Sequence, residues 1–264
     1  MAKNTSEQKA GDIINKSSML YWWPLVKDVP VPKPETVVVE TGYLTLAGML
    51  EGKPLPDNAR KQALAAVKQL GYPLFVRTDQ ASGKFDWKNA CFVETEKSLF
   101  KNIYNVVEFN ELADMMGLRP EALVFRRYIP LEADFRAFYG GMPVAKERRY
   151  FVRDGKVECH HPYWIEDAIG KWWRRAKELA VVRPDKIEPL PDNWQEILAG
   201  INKETPEEIE LLAGYAEEIG KAIEGYWSVD FAKGKDGVWY FIDMAEGEKS
   251  WHPECQYRRS TRGS

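Results

Sequence analysis

The sequence predicts an α+β fold in two lobes. Three observations lead there. Helical and strand-like segments in the first half give way to a run of short strands joined by GG and DG dipeptides, which favour hairpin turns. One well-capped helix then precedes a terminal hairpin. The strict βαβ alternation of a doubly wound parallel sheet is missing. A length of 264 residues suits one large domain or two smaller lobes, and 44% hydrophobic residues supply a sizeable core.

The elements follow in order. Residues 1–17 read as a polar start or a short helix, and the proline-spaced VPVPKPETVVVE enters a strand at Thr36–Glu40. Residues 58–70, NARKQALAAVKQL, have apolar positions at helical spacing and stop at Gly71. YPLFVRTD reads as a strand, QASGK as a small-residue turn, and FDWKNACFVET as a strand or its edge. Residues 98–117 read as helical, and ALVFRRYIPL as a strand leaving through Pro130. DFRAFYGGMPVAKERRYFVRDGKV gives three short strands. Residues 163–203 carry no clean period and read as an irregular insertion with a helix around 166–179. Thr205 and Pro206 with Glu207 and Glu208 form a helix start: a capping hydroxyl, proline at the first position, acids in the first turn. The expected division is a short N-terminal segment 1–35, a small lobe 36–125, a large lobe 126–253 with an insertion at 160–204, and a flexible tail 254–264.

Composition narrows the function. A net charge of −3 gives no overall basic field for nucleic acid. No apolar run approaches the roughly 20 residues that span a bilayer, and the polar start lacks a signal-peptide apolar region. Cys91, Cys159 and Cys255 are scattered and odd in number, with no CxxC pair, so a reducing, cytoplasmic setting is expected. His160, His161 and His252 show no metal-ligand spacing with them. Most of the ten tryptophans are expected in the core or in groove walls.

Chemistry concentrates in three places. The terminal hairpin WSVDFAKGKDGVWYFIDMAEG puts Asp230 and Asp243 inside apolar strands, with Glu246 following. Strand interiors disfavour aspartate, and two paired carboxylates repel unless a cation lies between them. Oxygen-only ligands suit Mg²⁺; two edge-strand aspartates facing water would read the same way. In LFVRTDQASGK, Arg77 ends an apolar strand before a loop of Ser82, Gly83 and Lys84, whose backbone amides suit phosphate oxygens. Such loops are also common in hairpins, and the GxxxxGK[ST] phosphate loop is absent. In DFRAFYGGMPVAKERRYF, Arg136, Lys146, Arg148 and Arg149 place cations on strands, either for a polyanion or as a solvated face.

Taken in order over residues 16–253, these segments resemble the ATP-grasp superfamily of carboxylate–amine or thiol ligases, and the short chain is similar to its phage-associated branch. GYPLFVRTDQASGK resembles the superfamily's strand and glycine loop, with Arg77 where lysine is usual. ALVFRRYIPLEADFRAF is similar to its hinge and DxR strands, and the terminal hairpin to its metal-binding hairpin. The resemblance implies an ATP-grasp fold: two α+β lobes gripping nucleotide between antiparallel sheets, with a reduced N-terminal region. It implies ATP and Mg²⁺ as cofactors. Arg77, Ser82, Gly83 and Lys146 would hold phosphates, Arg126, Arg127, Tyr128 and Ile129 the adenine, and Glu132 or Asp134 the ribose. Arg136 and Arg148 would act on the transferred phosphate. Asp230 and Asp243 would bind the metal, with Glu246 replacing an asparagine that falls at Ala245. The implied reaction joins a small-molecule or peptide carboxylate to an amine or similar nucleophile through an acyl phosphate. A second reading is a nucleotide- or nucleic-acid-binding module of this fold without ligase activity. Arg77, Ala245 and the Trp/Arg-rich stretch 163–183 favour it, since aromatics interleaved with cations suit single strands.

Overall fold

The computed structural model describes residues 15–114, 119–180 and 187–253. Its strands form two four-stranded antiparallel sheets and one hairpin. The first sheet has the order β1 (Thr36–Glu40), β4 (Ala122–Arg127), β2 (Leu74–Thr78), β3 (Phe92–Val93). Helices α2 (Tyr43–Leu50), α3 (Asp57–Leu70) and α4 (Leu99–Asp114) cover it. The predicted helical stripe is real: Ala59, Ala63, Ala66, Val67 and Leu70 of α3 are buried, and Gly71 ends the helix at φ +77°.

The second sheet has the order β10 (Trp239–Glu246), β9 (Tyr226–Lys233), β7 (Glu147–Arg153), β8 (Lys156–Pro162). Helices α1 (Met19–Val26) and α7 (Pro206–Lys221) close its core around Trp22, Tyr150, Leu212, Ile219, Phe231 and Phe241. The hairpin β5 (Ala133–Ala137) and β6 (Met142–Ala145), with helices α5 (Glu166–Ala180) and α6 (Trp194–Ile201), contributes Phe138, Trp164, Ile169 and Leu198 to the core of the first sheet. The α+β class with antiparallel sheets is therefore as the sequence predicts.

Some elements differ from expectation. The three expected strands after Glu132 are four, because β6 and β7 are separated by Lys146 alone yet belong to different sheets. The insertion holds a second helix, α6, which buries Trp194, Leu198 and Ile201 at i, i+4 and i+7. FDWKNACFVET yields two strand residues, because Ala90 N–H bonds Asp86 and Phe92 N–H bonds Trp87 in a turn. The expected lobe boundary at 125/126 falls inside β4. The start 1–14, Cys255 and the expected tail 254–264 lie outside the described residues.

Six of the ten tryptophans are buried, with Trp22 fully enclosed, and the Cys91 and Cys159 side chains are also buried. Among the described residues no helix is long and apolar enough to cross a membrane. The Thr205 hydroxyl accepts Glu208 N–H at 3.2 Å, the cap the sequence predicts. Thr205→Ala should cost about 1 kcal/mol, read in a thermal melt as a fall of roughly 2–4 °C.

Candidate functional site

Strand alternation sends one set of side chains from each sheet into a shared cavity of about 330 Å³. On β2, Leu74 and Val76 enter the core while Phe75 and Arg77 line the cavity. On β4, Leu123 and Phe125 enter the same core while Arg126 faces the cavity. On β7, Glu147 and Arg149 line the cavity, and Tyr150 and Val152 pack into the second core. On β9, Asp230 lines it between the core residues Val229 and Phe231.

A β-bulge completes the arrangement. Phe241 and Met244 of β10 are both core residues, which strict alternation forbids at a spacing of three. The register shift between Phe241 and Asp243 absorbs the extra residue, so Ile242 and Asp243 both line the cavity. Asp243 thereby becomes the direct cross-strand partner of Asp230, which is itself the partner of Arg149.

Arginines from both sheets balance the two carboxylates. Arg149 grips Asp230 with two parallel bonds, Nε to Oδ1 and Nη2 to Oδ2, each 2.7 Å. Arg77 Nη1 reaches from the other sheet to Asp243 Oδ2 at 2.6 Å. Arg126 donates to the Ile242 carbonyl. Burial opposes ionisation of Asp243, but Arg77 and Arg126 outweigh it and hold its carboxyl below the usual 3.8. Burial and the adjacent Arg77 push Arg126 down. Burial likewise opposes the charge on Arg149, and Asp230 more than restores it.

Because the folded Asp243 carboxyl lies below its unfolded value, its contribution to stability is present above about pH 4 and is lost as pH falls through the folded pKa. Denaturant melts of the protein and of Asp243→Asn should therefore converge as pH is lowered from 5 to 3.

The expected site residues divide into two groups. Arg77, Ser82, Gly83, Arg126, Arg127, Tyr128, Ile129, Asp230 and Asp243 all line the cavity. The others go elsewhere. Arg148 points to the opposite face of β7 from Arg149, is fully buried, and is held by Glu204 at 3.0 Å and by the carbonyls of Ile201 and Lys203. Glu246 comes after the bulge, on the alternate face from Asp243, and bonds Lys249 and Ser17. Among the described residues no group of three or more His, Cys, Asp or Glu is arranged to hold a metal, so the expected three-carboxylate set is reduced to two. Asp134 and Arg136 line a separate groove of about 300 Å³ with Glu188 and Lys235, because β5 belongs to the small hairpin and not to the second sheet. Glu132 faces Lys233 at 3.8 Å. Lys146 sits between β6 and β7, where its carbonyl accepts Lys233 N–H.

Four ionisable lining residues lie outside the set of site residues that the resemblance implies: Lys84, Glu147, Arg149 and Tyr163. The available signal was period two. Once Arg149 faces Asp230, Glu147 must share its side of β7.

Sequence comparison found no match among curated proteins. Structural comparison found C-terminally truncated Cdc123 from Schizosaccharomyces pombe, 13% identical, with a TM-score of 0.52 over 89% of this chain and 86% of that one. A RimK domain ATP-grasp protein from Sphaerobacter thermophilus is 14% identical with a TM-score of 0.43, and 89% of this chain covers 59% of it. D-alanine–D-alanine ligase from Bacillus anthracis, complexed with ATP, is 14% identical with a TM-score of 0.45, and 88% of this chain covers 55% of it. The chain thus spans little more than half the length of these last two. At such identities the likeness to Cdc123 bears on the fold alone. The family is shown by sequence: a family model of the ATP-grasp domain, the third family of its clade, matches residues 68–261, and the chain belongs to that ATP-grasp family.

Proposed function

We propose that the protein is an ATP- and Mg²⁺-dependent ligase that joins a carboxylate to an amine or similar nucleophile through an acyl phosphate. One observation carries this reading. Arg77, Lys84, Arg126 and Arg149 converge with the opposed Asp230 and Asp243 in one cavity between two sheets. Such an excess of cations around a carboxylate pair suits a polyphosphate bound with a divalent ion.

The donor set fits Mg²⁺, which typically takes one or two carboxylates and completes its shell with water and substrate phosphates. Asp230 and Asp243 would hold it, and it would supply charge neutralisation on the phosphates. The chain's own residues do the rest. Arg77 and Arg126 would bind phosphate oxygens through their guanidinium N–H donors. Gly83, at φ +61°, would let the loop backbone approach them closely. Phe75, Trp87 and Tyr128 give the cavity apolar walls for a base and exclude water. Positioning and charge complementarity are enough for this chemistry, in which the γ-phosphoryl passes to a carboxylate and the nucleophile then displaces phosphate.

Hydroxylamine tests the reading directly, since it intercepts acyl phosphates as hydroxamates. With ATP, Mg²⁺ and a panel of amino-acid and peptide carboxylates, ADP and a hydroxamate should form in equal amounts. A second reading keeps nucleotide binding without ligation. It is favoured by Arg77 and Arg149 already pairing both aspartates. ATP binding without hydroxamate from any carboxylate would establish it.

A further inference from the structure

Beside the aspartate pair, the cavity wall holds a buried acid that the phosphate chemistry does not use. Glu147 is 4% exposed. Its Oε1 accepts the Trp164 indole N–H at 3.0 Å, while Oε2 has no hydrogen-bond partner among the described residues. Burial raises the Glu147 carboxyl, with Lys84 pulling against it. A buried carboxylate oxygen without a donor is costly unless a cation completes it.

The group nearest that oxygen is an alkylammonium. Lys84 Nζ lies 3.9 Å from Glu147 Oε2, inside ion-pair range but beyond a hydrogen bond. It also lies 4.1 Å from the centre of the Tyr163 ring and 5.0 Å from that of Trp164. An anion flanked by two aromatic faces is the arrangement that selects ammonium groups. Burial alone would lower the Lys84 ammonium, yet Tyr163, Glu147 and Asp230 together raise it. The box is rigid: Tyr163 N–H bonds the Glu147 carbonyl at 3.0 Å, and the Trp164 carbonyl accepts Asn202 at 2.8 Å. Lys84, by contrast, comes from the loop between β2 and β3, on the other wall.

We infer that Glu147, Tyr163 and Trp164 form an ammonium-binding box, that Lys84 fills it in this structure, and that the nucleophilic substrate is a primary amine which takes Lys84's place. The assignment of substrate rests on the ligase reading; the box itself does not. ATP phosphates compete for Lys84 from the same cavity, so nucleotide would vacate the box and amine would follow it.

The test uses the whole chain and n-butylammonium chloride as the probe, against sodium chloride at equal ionic strength. In Lys84→Ala the box is vacant, so the probe should raise the melting temperature saturably, by roughly 3–5 °C at ten times its dissociation constant. The unsubstituted protein without ATP should not respond, and Lys84→Ala/Glu147→Gln should lose the response. An equal rise in the unsubstituted protein, no rise in Lys84→Ala, or a rise that survives Glu147→Gln would each overturn the inference. Lys84→Ser offers the same vacancy; failure of both variants to fold would show that Lys84 serves the fold, which also overturns it. Absence of ATP-dependent stabilisation in the unsubstituted protein would sink the ligase reading and leave the butylammonium result standing.

Discussion

Asp243→Asn should erase the difference between ATP binding with Mg²⁺ and ATP binding with a chelator present. Asparagine keeps the shape and one oxygen but removes the charge that a divalent ion needs. A hydrogen bond or ligand contact to a charged group contributes about 1.5–3 kcal/mol, so affinity for the metal-loaded nucleotide should fall roughly 10- to 150-fold. Affinity for metal-free ATP should hold or rise, because Arg77 is then released from the 2.6 Å pair it makes with Asp243. Calorimetric titration with and without Mg²⁺ separates the two effects. A variant that keeps the full Mg²⁺ dependence would remove Asp243 from the metal site. Asp230→Asn should behave alike in its metal dependence, but it also strips the bidentate partner from Arg149.

Arg148→Met should act on stability and leave nucleotide binding alone. The side chain is fully buried, and its partner Glu204 is 7% exposed. Glu204 also faces His160 Nε2 at 3.3 Å, so removing Arg148 leaves a buried carboxylate with its main cation gone. Breaking one side of such a pair costs about 3–5 kcal/mol, or a fall in melting temperature of roughly 6–20 °C for a chain of this size. Glu204→Gln should cost a similar amount, and the double substitution less than the sum, because the two act on one interaction. The stabilisation that ATP adds should be unchanged in Arg148→Met. A variant that melts normally and loses its ATP response would return Arg148 to the site.

How much was legible from sequence follows from where strand alternation holds. The hairpin turn at KGKDG, the caps at Thr205 and Gly71, and the opposed aspartates all follow from local chemistry and spacing. Arg77 and residues 126–129 reach the cavity because an apolar strand delivers them to its end. Other expected residues lie away from the cavity for physical reasons. Arg148 and Arg149 are neighbours of like charge, and choosing between them requires knowing which face of β7 is the core; only the pairing of Arg149 with Asp230 decides it. Glu246 looked like a third ligand because a bulge between it and the core pattern cannot be seen in composition. Asp134 and Arg136 looked continuous with the second sheet, yet the chain changes sheets at Lys146, a single residue. Helix α6 was missed because two prolines and Gly200 mask a spacing of four and three that its buried Trp194, Leu198 and Ile201 make plain.

Thermal melting of the whole chain shows whether the cavity between the sheets binds ATP with Mg²⁺ through Arg77 and the aspartate pair. A ligand at 100 times its dissociation constant adds about 2.7 kcal/mol to the folded state. The melting temperature should rise by roughly 5–10 °C with ATP and Mg²⁺, by less with ATP and a chelator, and not at all in Arg77→Met. No rise at millimolar ATP with Mg²⁺, or an undiminished rise in Arg77→Met, would contradict it.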